Sequence, residues 1–384
     1  MDLEGKGKTV NKKTIAIIGV VVVVALLSII SWAIWGRDSK EITVGAILPL
    51  SGDGAKYGVS ARKAIDLVFS ETNNEGGING KKVSVVYEDS RGVGKDGVSA
   101  MQKLITVHDT PVVIGGLFSS VTLAVAPVAE RNRVVLLSPT SSAPKITDAG
   151  DYIFRNCASD VFEGKVMADA AFQKLNIQKI AILYINNDYG IGIIDVFKKT
   201  FASNGGQVVA EEAFARGAVD FRSQLTKIAA LQADGIYIVG YKELGHLLKQ
   251  AHELGIKTQF MSTVMFEDPE ILSVAGNAGE GVIYSARAYD PNSDEPHIKE
   301  FVTAFKQRYG GEPDIFAAYA YDAARILVQA MKEGGLSSDE IRDYVYSIRD
   351  FPGVTGITSF DEKGDVSQPA YLKTVRDGQF VWYK

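Results

Sequence analysis

Two hydrophobic periods alternate along most of this chain, and that alternation narrows the fold more than any other feature. From Glu41 onward, short β-branched runs exchange with helical patterns. The runs are 42–48, 83–88, 112–114, 134–137, 180–185, 208–213 and 235–239. Between them apolar residues fall at i, i+3, i+4 and i+7, as in Ala61, Ala64, Ile65 and Val68, or Val121, Ala124, Val125 and Val128. Such exchange implies parallel sheets covered by helices on both faces. The chain has 384 residues, and single cores stop growing near ~250–300, so two lobes are expected. At the end, 371–375 and 380–383 flank Asp377-Gly378, a hairpin signal. No long low-complexity linker separates the runs, which favours lobes joined by several crossings.

Residues 14–35 form 22 positions without a charge, and a helix needs about 20 to cross a bilayer core. Lys6, Lys8, Lys12 and Lys13 precede the run, and Trp32 and Trp35 close it. This pattern predicts a transmembrane anchor with residues 1–13 as a cytoplasmic tail and the remainder outside. A cleaved signal peptide is the alternative, with Ser31 and Ala33 as the small cleavage residues. No cysteine follows the run, which excludes a lipoprotein anchor.

The formal net charge is −5 and the basic residues are scattered beyond the tail, which argues against a nucleic-acid surface. The one cysteine, Cys157, cannot form an internal disulfide and reads as a buried, inert thiol. His246 and His252 are six apart, off a common helix face, so no metal site is expected. Gly92-Val93-Gly94-Lys95-Asp96-Gly97 fits G-x-G-x-x-G but follows the second strand, not the first. Gly7-Lys8-Thr9 lacks the rest of a phosphate loop. Ser142-Ala143-Pro144-Lys145 lacks the partner motifs of a penicillin-binding site. No nucleophile–base pair or cofactor motif emerges, so no enzyme is predicted.

In an open parallel sheet, ligands bind beyond the carboxyl ends of the strands. Three Ser/Gly-rich loops fall there: 51–54, 115–120 with Ser119, and 138–142 with Thr140 and Ser142. Such hydroxyls can donate to a carboxylate or simply cap helices. In the second half, Tyr189 and Tyr241 follow strands and can cover an apolar ligand body. Together they describe a cleft for a small amphipathic solute.

Several stretches carry a resemblance. They are VGAILPLSGDGAKYG at 44–58, TNNEGGING at 72–80, IGGLFSSVTLAVAPVAE at 114–130, LLSPTSSAPKIT at 136–147 and YIFRNCASD at 152–160. YINNDYGIG at 184–192, GIKTQFMS at 255–262, AYAYDAARIL at 318–327 and FDEKGD at 360–365 complete the series. In this order they resemble the bacterial type I periplasmic binding proteins, in the branch binding branched-chain amino acids (Leu/Ile/Val) for ABC transporters. The resemblance implies an α/β protein of two doubly wound parallel-sheet lobes joined by three crossovers, preceded by the N-terminal transmembrane helix. Lobe 1 would be 41–157 plus 287–356, and lobe 2 would be 158–286 plus the return 357–384. It further implies a small-molecule carboxylate held by Ser119, Thr140 and Ser142, covered by Tyr57, Tyr189 and Tyr241, with Phe316 in the side-chain pocket. An ABC permease is the implied partner, and a sensory module signalling to a membrane partner is the alternative. The family's ammonium-pairing glutamate aligns with Val264. Either another acid takes its place, Glu267 first and Asp188 second, or the ligand carries no ammonium.

Overall fold

A computed structural model describes residues 41–383. The charge-free run 14–35 lies outside the described residues. Among the described residues, no helix is long and apolar enough to cross a membrane.

The first half runs β1 (Glu41–Leu48), α1 (Ala55–Asn74), β2 (Lys82–Asp89), α2 (Gly94–Thr106), β3 (Val112–Gly115), α3 (Ser119–Arg131), β4 (Val135–Ser138) and β5 (Ile153–Arg155). The second runs α4 (Asp160–Asp169), β6 (Lys179–Ile185), α5 (Asp188–Ser203), β7 (Gln207–Phe214), α6 (Arg222–Ala229), β8 (Gly235–Val239), α7 (Glu243–Glu253), β9 (Gln259–Ser262), α8 (Pro269–Ala275) and β10 (Ile283–Ala286). Three helices follow, α9 (Pro296–Tyr309), α10 (Ile315–Gln329) and α11 (Ser338–Ser347). A small hairpin, β11 (Phe351–Gly353) with β12 (Gly356–Thr358), precedes β13 (Tyr371–Arg376) and β14 (Gln379–Trp382).

The first sheet has the order β2-β1-β3-β4-β5, and the second has the order β14-β13-β10-β9-β8-β6-β7. Strands β1, β3, β4 and β5 pair in parallel, as do β7, β6, β8, β9 and β10. The second sheet is mixed, because β13 pairs antiparallel to β10 and to β14. Asp377 and Gly378 both have positive φ (53° and 70°), as a two-residue type I′ hairpin requires. The chain leaves the first sheet after β5, returns after β10 to lay α10 against α1, and ends in the second sheet. Ala61, Ala64, Ile65 and Val68 are buried on α1, as their spacing predicts.

Each sheet reverses its strand order at one point, between β1 and β3 and between β6 and β8. Such a switch point leaves a crevice at the carboxyl ends of the strands. The loops after β1 and β3, and those after β6 and β8, therefore frame the site.

Candidate functional site

The hydroxyl residues lie on the loops after β3 and β4. The Gly116 carbonyl accepts from Ser138 Oγ at 2.7 Å, Ser141 Oγ at 2.6 Å and Thr122 Oγ1 at 3.0 Å. These bonds tie the two loops together. Ser119 opens α3 without capping it, and its Oγ instead accepts from the Ala143 amide at 3.2 Å. Thr140 Oγ1 donates to the Leu117 carbonyl at 2.8 Å. Its proton is thereby committed, so toward a ligand Thr140 acts as an acceptor. Ser51 turns away to Asp89, at 2.5 Å, so the loop after β1 adds no free hydroxyl here.

The aromatic residues expected from sequence meet in one cluster. Tyr57 on α1 and Phe316 on α10 have ring centroids 4.4 Å apart. Tyr241, after β8, stands 6.4 Å from Tyr57 and stacks on Tyr189 at 5.5 Å. Tyr189, the second residue of α5, donates to Thr263 Oγ1 at 2.8 Å. Phe118, which sequence reasoning passed over, joins the cluster 6.1 Å from Tyr57 and 5.2 Å from Tyr241.

Two acids missing from the sequence reading stand at the floor of this cleft. Asp160 begins α4, its amide bonded to the Ser142 carbonyl at 2.8 Å. The residue is 0 % exposed, and its carboxylate makes no ion-pair contact among the described residues. Burial first, and the Glu163 carboxylate second, push its pKa up to about 8, against the pull of Arg287, Ser142 and Arg155. Glu163, one turn on, accepts from the Val264 amide at 3.0 Å, Ser285 Oγ at 2.5 Å and Arg287 Nη2 at 3.1 Å. Burial, then the Glu163 and Asp160 carboxylates, hold the Tyr189 hydroxyl well above its usual pKa, so both acids act on the aromatic cluster.

Glu267 is placed elsewhere. It pairs with Lys373 on β13 at 2.5 Å, and burial holds its carboxyl above the usual range against that lysine's pull. The pair lines a groove of about 1230 Å³ between α8, the loop after β10 and the β13–β14 hairpin. That groove touches neither the hydroxyl loops nor the aromatic cluster. Asp188 is the first residue of α5 and half-buried. At Val264 the backbone meets an acid after all, but the acid arrives from α4 as Glu163. Cys157 is buried, and desolvation pushes its thiol up to about 12, as an inert core residue requires.

Residues 41–379 match the family model described as "Periplasmic binding protein". The chain belongs to this family. It is therefore an extracytoplasmic solute-binding protein and not an enzyme. It is 31 % identical over 352 residues to a Leu/Ile/Val-binding protein homolog 1 of Brucella abortus, covering 91 % of this chain and 93 % of that one. A leucine-binding protein LivK from Thermotoga maritima superposes with a TM-score of 0.83 at 28 % identity, over 89 % of this chain and 98 % of its own. The branched-chain amino-acid binding protein LivJ from Streptococcus pneumoniae, solved with isoleucine, superposes with a TM-score of 0.81 at 31 % identity. That match covers 88 % of this chain and 97 % of the LivJ chain.

Proposed function

We propose that this periplasmic binding protein captures an α-amino acid with an apolar side chain and delivers it to an ABC permease. One observation carries the choice of ligand: Asp160 is fully buried, and only the Ser142 hydroxyl and the charges of Arg287 and Arg155 act against its burial. A buried carboxyl with no ion-pair contact of its own is costly, and a ligand ammonium arriving beside it supplies a direct charged donor. Thr140 offers the ammonium a second acceptor. The ligand carboxylate then falls to Ser119, Ser142 and the first amides of α3, where a helix start favours anions. Tyr57, Tyr189, Tyr241 and Phe316 enclose the side chain. The relatives named for leucine, isoleucine and valine support this reading.

The expected boundary at 356/357 would split the β11–β12 hairpin and part Asp365 from Arg155, so the closing units are 41–157 with 287–366, and 158–286 with 371–384. Calorimetry with L-leucine and its des-amino analogue, 4-methylpentanoate, tests the ligand class. Leucine is expected to bind and the des-amino acid to fail; tight binding of the des-amino acid alone sinks the ammonium pairing. In the same assay Ser119→Ala should weaken leucine by about 1–3 kcal/mol, the cost of a lost bond to a charged group. Glu267→Gln should leave the affinity unchanged, because its ion pair lies outside the cleft.

The run 14–35 serves in this reading as an uncleaved anchor. Full-length protein should stay in the membrane pellet after a salt wash. A soluble form beginning after Ala33 would show cleavage instead.

A further inference from the structure

The glycine-rich run at 92–97 is no dinucleotide fingerprint, yet its geometry is specific. Gly94 and Gly97 let α2 close on α3: a Cβ there would come within 2.9 Å of Ala124 and 2.8 Å of Val121. Gly92 differs from both. Its φ is +71°, and a Cβ on it would stand 2.5 Å from Arg216 Nη1 and 3.1 Å from the Phe118 ring. The Gly92 carbonyl accepts from that same nitrogen at 3.2 Å.

Arg216 follows β7, so this bond spans the cleft from the second sheet's side to the first's. Its guanidinium lies 4.1 Å from the centroid of Phe118 and 5.3 Å from that of Tyr241. Its Nη2 is buried, and the guanidinium also acts on the Tyr241 hydroxyl. A guanidinium can shed water against aromatic faces, where its attraction to the rings strengthens. The void left between Arg216, Phe118, Tyr57 and Tyr241 is about 10 Å³, no more than one water needs. This mouth is shut. Lys242 with Asp53 at 2.9 Å and Lys56 with Asp268 at 2.6 Å flank it. Those pairs are solvent-exposed, and exposed pairs contribute little.

We propose that Arg216 is the gate of the cleft, with the Gly92 carbonyl and the Phe118 ring as its socket, so that solute leaves only after Arg216 withdraws. Arg216 is a positioning residue that holds the closed state and need not touch the solute. Because the closed fraction scales the apparent affinity, the gate sets residence time. The role rests on the capture reading, but its first test does not need a ligand.

Fluorophores on Gln102→Cys in α2 and Lys249→Cys in α7 report opening of the unliganded protein, since both sites are exposed and Cys157 is buried. Arg216→Ala should raise the open fraction, and Arg216→Lys should fall between it and wild type, having charge without the flat fork. Gly92→Ala should open the cleft as well, by placing a methyl on the socket. With L-leucine as probe, dissociation from Arg216→Ala should quicken by roughly 2- to 30-fold, the range of one aromatic–cation contact. Unchanged opening in Arg216→Ala overturns the gate, as does opening in Gly92→Ala alone, which would mark backbone strain. If wild type ignores leucine, the ligand reading fails while the fluorescence result still decides the gate.

Discussion

Asp160→Asn is expected to weaken L-leucine binding by about 3–5 kcal/mol, the usual cost of removing one partner from a buried charge pair. The amide fills the same space and leaves the α4 start intact. It cannot carry the negative charge that an enclosed ammonium requires. Burial and the Glu163 carboxylate shift Asp160 toward its protonated form, raising its pKa to about 8. Arg287, Arg155 and the Ser142 hydroxyl face it and pull the other way. If the ammonium pairs with ionised Asp160, leucine is expected to bind with loss of a proton. The bound state holds fewer protons than the free state, so affinity should rise with pH until about 8 and then level off. For stability the sign is opposite. The folded pKa lies above the unfolded value of about 3.9, so the unliganded fold holds the extra proton in that window. Its stability should fall as pH rises from about 4 to about 8, and Asp160→Asn should lose that slope. Calorimetry at pH 7 in two buffers of different ionisation enthalpy reads the proton directly. Wild-type leucine affinity in Asp160→Asn, or binding without proton release, would rule out the pairing.

The sheets were legible because their signal is local and redundant. Residues 235–239 form a strand in full, and the other six runs are strands whose ends differ by one residue at most, while the short β5, β9 and β10 gave no such run. Tyr189 and Tyr241 follow strands and could be placed from strand order, whereas Tyr57 and Phe316 came only from the family resemblance; the structure brings the four rings together. The acids were harder. Asp160 and Glu163 share a helix face with Gly164, Met167 and Ala168, all buried. Their i, i+3, i+4, i+7, i+8 spacing was the available signal, but acids on such a stripe read as surface residues. Glu267 drew attention by nearness in sequence to Val264, whereas the sheet pairs it with Lys373, more than a hundred residues away. Arg216 and Gly92 meet across the cleft from different sheets, and no periodicity records such a contact.

Replacing Arg155 should cost stability and binding together. The side chain is 0 % exposed, and all five of its N–H donors have partners. Nε reaches Asp365 Oδ1 at 2.7 Å, and Nη2 reaches Asp365 Oδ2 at 2.5 Å and Thr147 Oγ1 at 2.7 Å. Nη1 reaches the Ser142 carbonyl at 3.0 Å and the Ala143 carbonyl at 2.9 Å. One residue thus anchors the loop after β4 and the late Asp365 to the end of β5. Drawing the 142 and 143 carbonyls inward fixes where Ser142 stands and where the Ala143 amide meets Ser119. Arg155→Ala takes a donor from each of the buried 142 and 143 carbonyls and leaves the half-buried Asp365 carboxylate without its ion pair, so a loss of about 3–5 kcal/mol is expected in chemical unfolding. Arg155→Lys keeps the charge but has three donors on a single nitrogen and cannot hold both loops at once. It should remain folded at low temperature and bind L-leucine at least tenfold more weakly, about 1.4 kcal/mol. Asp365→Asn retains an acceptor for the fork and should be milder in both measurements. Arg155→Lys that is destabilised but binds leucine with wild-type affinity would show that the loop holds its shape without Arg155.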